Sequence, residues 1–143
     1  MLRQLLVGAA VSLGNIAIHA LVMTAVVKVS LAVSSRKPSG HSLALMSVMI
    51  ATVLVLMAAH ACEVAVWALA YRILDVVPGN AMYFAFVNYT TLGYGDITPV
   101  KDWQLLGPLT AMNGVLLFGW STAVMFEVLR KSMARSTGGT ISD

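Results

Sequence analysis

Residues 88–96 read Asn88-Tyr89-Thr90-Thr91-Leu92-Gly93-Tyr94-Gly95-Asp96 and lie between two long apolar runs. The run before them covers residues 42–74, and the run after them covers residues 103–129. Each exceeds the roughly 20 residues that a membrane-spanning helix needs, with tilt absorbing the excess. The intervening segment 81–96 is too short to cross and return as two helices. Its first part, residues 81–90, is apolar and aromatic and follows Asn80, a residue suited to capping a helix N-terminus. Its second part holds Gly93 and Gly95. Non-helical backbone facing lipid leaves N–H and C=O groups without partners, so it is tolerated only inside protein or beside water. The stretch therefore predicts a re-entrant loop and, with it, a conduction path.

The rest of the chain agrees with that class. Hydrophobic residues make up 59% of the 143 and charged residues only 10%, with a mean hydropathy of +0.84. A water-soluble domain carries about 25% charged residues, so this chain cannot cover a water-facing surface. Its net charge of +3 is no nucleic-acid signature, because the charges gather at the ends of the apolar runs. Cys62 is the one cysteine, so no intrachain disulfide can form.

A third apolar run, residues 5–33, is interrupted by Asn15, His19 and Lys28 and ends at Arg36-Lys37-Pro38-Ser39-Gly40. It is much longer than the apolar core of a signal peptide, about 7 to 15 residues, and reads as a further spanning helix. Lys28, Arg36, Lys37, Arg130, Lys131 and Arg135 fall at one end of the three runs, and Arg3, Arg72 and Lys101 at the other. The excess of positive charge marks the cytoplasmic side. The N-terminus and the loop then face outward and the C-terminus inward. Small size and a short tail favour a prokaryotic inner membrane.

The string 88–96 resembles the selectivity filter of potassium channels, and the resemblance covers the two-helix pore unit from about residue 42 to 131. That family's usual string has Val where this chain has Leu92, which changes bulk behind the filter and leaves the backbone oxygen in place. The chemistry can be argued from the residues as well. A potassium ion must exchange its hydration shell for other oxygens, and backbone carbonyls can supply them if successive ones point along one axis. Alternating left- and right-handed backbone does this, and glycine enters the left-handed region without steric cost, which accounts for Gly93 and Gly95. The ion sites implied are at Thr91, Leu92, Gly93 and Tyr94, with Gly95 completing the row and the Thr91 hydroxyl adding an oxygen at its inner end. Thr90 and Asp96 flank and support the filter. In related channels an aromatic donor early in the pore helix bonds the aspartate after the filter, and Tyr83 holds that place here. Some relatives carry a carboxylate behind the filter where this chain has Val87.

One loop supplies one wall of such a pore, so four copies are needed. The expected fold is an all-α membrane protein with three transmembrane helices, a re-entrant pore helix and a filter loop, assembled as a four-fold symmetric homotetramer in a lipid bilayer. Its divisions are an N-terminal helix and loop (1–40), a pore domain (41–131) and a short cytoplasmic tail (132–143). Within the pore domain the outer helix is 42–74, the pore helix 80–90, the filter 91–96 and the inner helix 103–130. Partial negative charge at the C-terminal end of the pore helix favours a cation in mid-membrane.

Several residues carry two readings. Gly114 and Gly119 serve either as a hinge for an intracellular gate, as the family implies, or as small residues that let helices approach. Pro108, near the outer start of the inner helix, invites a kink. Glu127 forms either a carboxylate ring at the inner mouth or an ion pair with Arg130 or Lys131. His60 and Glu63 are three apart on one face, a metal-binding spacing in helical bundles. With only two such ligands in view, pairing with Asn15 or His19 is the favoured reading, and pH sensing a lesser one. The first helix lacks the basic series of a voltage sensor and reads as packing outside the pore helices. The tail, residues 136–143, reads as disordered.

The function expected is passive potassium conduction, with no cofactor other than the permeant K+, no nucleic-acid partner and no catalysis, since no nucleophile and base are grouped. The alternatives are a non-selective cation channel, or a non-conducting structural or regulatory membrane subunit.

Overall fold

A computed structural model describes residues 1–34 and 41–137. The order is α1 (Leu2–Ser34), α2 (His41–Ile73), α3 (Ala81–Tyr89), a single 3-10 turn at Lys101–Trp103, and α4 (Leu106–Thr137). All regular structure among the described residues is helical. Three helices are long and apolar enough to cross a membrane, over Leu2–Val29, Leu45–Ile73 and Lys101–Lys131.

The helix ends follow local chemistry. α2 closes with a left-handed residue, Asp75 at φ 48°. The Val76 N–H returns to the Tyr71 carbonyl at 2.9 Å, and the Asp75 N–H reaches that of Arg72 at 3.5 Å. This pair of bonds is the Schellman arrangement, in which an αL residue reverses the chain. The outer helix expected over 42–74 thus ends within one residue of that bound. Asn80 caps α3 as expected, its side chain accepting from the Tyr83 N–H at 3.0 Å.

α4 differs at both ends from the expected 103–130. A 3-10 turn occupies residues 101–103, and Pro108 falls in the first turn of the α-helix. A missing N–H costs nothing there, and the Leu109 N–H makes the regular bond to the Leu105 carbonyl at 3.1 Å. At the far end α4 passes Arg130-Lys131 and takes in Ser136 and Thr137, because charge does not end a helix and the first glycine pair is Gly138-Gly139. The rest of the tail and the break at 36–40 lie outside the described residues.

α1 and α4 run parallel in register. The Gln4 side chain accepts from the Leu105 N–H at 2.8 Å, and Arg3 stacks over the Trp103 ring at 4.4 Å. A Cβ on Gly8 would meet the Leu109 side chain at 2.4 Å. Two apolar clusters result. One gathers Trp67, Tyr71, Phe84, Tyr89, Trp103 and Leu106 at the end that carries α3. The other gathers Met23, Val26, Leu56, Val124 and Val128 towards the opposite end. Between them the buried residues turn polar: Asn15, His19, Glu63, Asn113 and Ser121.

Candidate functional site

α3 and the loop after it place two polar regions back to back. On the loop, Thr91, Gly93 and Gly95 take φ values of 60°, 58° and 74°. Every second residue is thus left-handed. Gly93 and Gly95 adopt this freely, whereas a β-branched residue does so against steric resistance. Thr91 is held there by a second Schellman closure. Its N–H bonds the Asn88 carbonyl at 2.9 Å, and the Leu92 N–H bonds that of Val87 at 2.9 Å. Among the described residues no hydrogen bond ends on the carbonyls of residues 91–95.

The loop is anchored at its outer end. The Tyr83 hydroxyl donates to Asp96 Oδ2 at 2.7 Å, and Asp96 Oδ1 accepts from the Ile97 N–H at 3.1 Å. The carboxylate beside it raises the Tyr83 hydroxyl above its ordinary value of 10.0, since the neutral phenol is the form that donates. Thr90 turns its hydroxyl back to the Phe86 carbonyl at 2.8 Å. Leu92 and Tyr94 are 54% and 68% exposed in the single chain.

Behind α3 lies a closed polar cluster drawn from all four helices. Glu63 Oε1 meets His19 Nδ1 at 2.7 Å, and Oε2 meets His60 Nδ1 at 2.9 Å. The Tyr89 hydroxyl, from the last residue of α3, donates to Glu63 Oε2. Ser121 Oγ lies 2.9 Å from His60 Nε2 and 3.3 Å from His19 Nε2. One turn away, Asn113 Oδ1 accepts from Trp67 Nε1 at 2.9 Å and from Asn15 Nδ2 at 3.1 Å. The Asn15 amide also donates to the Glu63 carbonyl at 3.2 Å. Polar groups at membrane depth are expensive unless paired, and here each helix supplies a partner for another.

A family model described as an ion channel matches residues 54–131, just over half of the chain. The chain belongs to this ion channel family. No curated protein and no solved structure matches it. The match begins within α2 and ends within α4, so it includes α3 and the loop and leaves out α1. With three spanning-length helices, the channel is a multi-pass membrane protein.

The remaining residues singled out in the channel's sequence separate clearly. A Cβ on Gly114 would sit 2.0 Å from the Tyr89 carbonyl oxygen, whereas one on Gly119 would meet nothing within 4 Å. Gly114 is therefore a close-approach residue that lets α4 touch the end of α3. Gly107 has a similar place against Asn88, whose Oδ1 would lie 2.9 Å from a Cβ. Glu127 pairs with Arg130 at 2.8 Å and Lys131 at 3.0 Å on its own helix. Glu63 does meet His19, His60 bonds Glu63 on its own helix, and Asn15 reaches the Glu63 backbone. The contributions of Tyr89, Ser121 and Trp67 were not foreseen. A hydroxyl or an indole N–H inside an apolar run was the available signal. Val87 is buried without a charge, and the carboxylate that touches α3 comes from α2 instead.

Proposed function

We propose that the channel is potassium-selective and that four copies build its pore. The loop 91–96 is the filter, α3 is the re-entrant pore helix, and ions sit against the oxygens of Thr91, Leu92, Gly93 and Tyr94. The observation that carries this reading is the alternation of left-handed backbone at Thr91, Gly93 and Gly95. Such alternation is what points successive carbonyls along one axis, and the carbonyls of residues 91–95 have no partner among the described residues, which leaves them free to replace an ion's water. The exposure of Leu92, Tyr94 and Phe86 in the isolated chain supports assembly, because aromatic and aliphatic side chains behind a filter find their packing on neighbouring copies. The orientation that puts the loop outside and the C-terminus in the cytoplasm rests on the basic residues. Arg3 and Lys101 fall at the α3 end of the bundle, and Arg130 and Lys131 at the other.

The test is the reversal potential of the purified channel in planar bilayers, with potassium on one side and sodium on the other. A value near the potassium equilibrium potential is expected, with selective current lost in Gly93→Ala, where a methyl group meets φ 58°. A reversal near zero with robust current would overturn selectivity and leave a general cation channel.

A further inference from the structure

The ring behind α3 poses a problem of proton number. Four contacts close it: Glu63 to each Nδ1, and Ser121 Oγ to each Nε2 of the same two imidazoles. Four hydrogen bonds need four protons. An ionised Glu63, two neutral histidines and one serine hydroxyl supply three. If both Nδ1 atoms donate to the carboxylate, both Nε2 atoms must accept, and Ser121 has a proton for only one of them. His19 and Glu63 are fully buried and His60 nearly so, so water does not repair the deficit freely. Beside the ring, one turn from His19 on α1, Asn15 Oδ1 is buried with no partner. Those four contacts are one proton short of four hydrogen bonds, with the Tyr89 hydroxyl engaged beside them on Glu63.

We propose that a divalent transition metal, zinc by preference, takes the place of that proton, bound by His19 Nδ1, His60 Nδ1 and Glu63. The donor atoms of these three residues all lie within 4.8 Å of one another. A tetrahedral zinc ion with bonds of about 2.0–2.1 Å spaces its ligands roughly 3.3 Å apart, so the 2.7 and 2.9 Å contacts of Glu63 have to open and any wider separation in the group has to close. Metal at both Nδ1 atoms places the ring protons on both Nε2 atoms. Ser121 Oγ has two lone pairs and accepts both, so both nitrogens of each imidazole are satisfied without an extra proton. The Tyr89 hydroxyl, against Glu63 and 2.9 Å from His60 Nδ1, takes the fourth position. Binding there as phenolate releases one proton and cancels the remaining charge, which favours the site inside a membrane. Two imidazoles and a carboxylate suit zinc over magnesium or calcium, which prefer all-oxygen sets. The sequence showed two of these ligands. The third comes from α1, outside the segment that carries the family match. The site joins α1 and α2 to the end of α3 through chemistry independent of which ion the pore selects.

The test is elemental analysis of the full-length channel in detergent, purified without chelator and then equilibrated with zinc. Stoichiometric zinc per chain is expected, falling to background in His19→Gln and in Glu63→Gln. Ser121→Ala should keep its metal with affinity lowered about 10–100-fold, the usual effect of losing an outer-shell partner. Because the first two variants can misfold, the wild-type channel supplies a second reading. Exchange into cobalt(II) should produce the intense visible bands of a four-coordinate site. A helical wild-type channel that takes up no stoichiometric zinc and shows no cobalt bands would overturn the proposal, leaving a bound proton to close the ring.

Discussion

The loop after α3 and the cluster behind it are both polar, both adjoin α3, and treat their polar atoms in opposite ways. The loop presents backbone carbonyls that no group among the described residues satisfies. The cluster consists of side chains turned inward on one another, with Asn15 Oδ1 as the one buried side-chain atom left over among the described residues. An open array can exchange partners as ions pass, whereas a closed one fixes helices in place. Tyr89, the last residue of α3 before the loop, sends its hydroxyl into the cluster while its carbonyl abuts Gly114 of α4. Rigidity behind the loop and availability in front of it are thus supplied by different chemistry on the two sides of one short helix.

The strongest way to break that division is to push α4 off α3. Gly114→Ala sets a methyl group 2.0 Å from the Tyr89 carbonyl oxygen, and backbone cannot yield as a side chain would. A loss of about 1–3 kcal/mol or more is expected, read as a lower melting temperature in detergent. Gly119→Ala, in open space, should melt like the wild type. Tyr89→Phe cuts the link between the regions. Removing a buried donor from Glu63 should cost about 1–3 kcal/mol while the reversal potential holds, because the loop oxygens are backbone. If the reversal potential moved too, the two regions would be one unit.

Thr91→Gly sharpens the comparison from the other side. Relief of the left-handed threonine should raise stability by about 1 kcal/mol while selective conductance falls with the loss of its hydroxyl. Tyr83→Phe is the smallest change. It removes an exposed bond to Asp96, so melting should stay unchanged while loss of current during sustained opening becomes faster. Alkaline solution should mimic it. The raised Tyr83 hydroxyl contributes its stabilisation below the ordinary tyrosine range. That stabilisation fades as pH climbs through the raised value.

How much of this was legible in the sequence follows the same division. The loop is one contiguous string, and the need for left-handed backbone at Gly93 and Gly95 can be read from residue type alone. Thr91 could not be read so, because its conformation is imposed by the way α3 ends and not by its own preference. Asp75 escaped notice for the same reason, since an aspartate is a weaker stop signal than the Pro-Gly pair after it. The cluster was only half visible. His60 and Glu63 are three apart on one helix, but His19 and Ser121 are separated by 102 positions, and no local pattern joins them. Helix identity was clear from apolar length. The end of α4 was not, because Arg130-Lys131 marks a membrane boundary and leaves helix geometry untouched.

The parallel register of α1 and α4 has a mechanical consequence. Contacts follow one another down the pair from Arg3–Trp103 and Gln4–Leu105, through Asn15–Asn113 and His19–Ser121, to Met23 and Val26 beside Val124 and Val128. A splint bound along its whole length makes a rod bend only if the splint bends with it. Any flexing of α4 below Gly114 must carry α1 along or shear these contacts in turn. The stiffness of the inner helix is therefore a property of two helices, and half of that beam lies outside the segment that marks the chain as a channel.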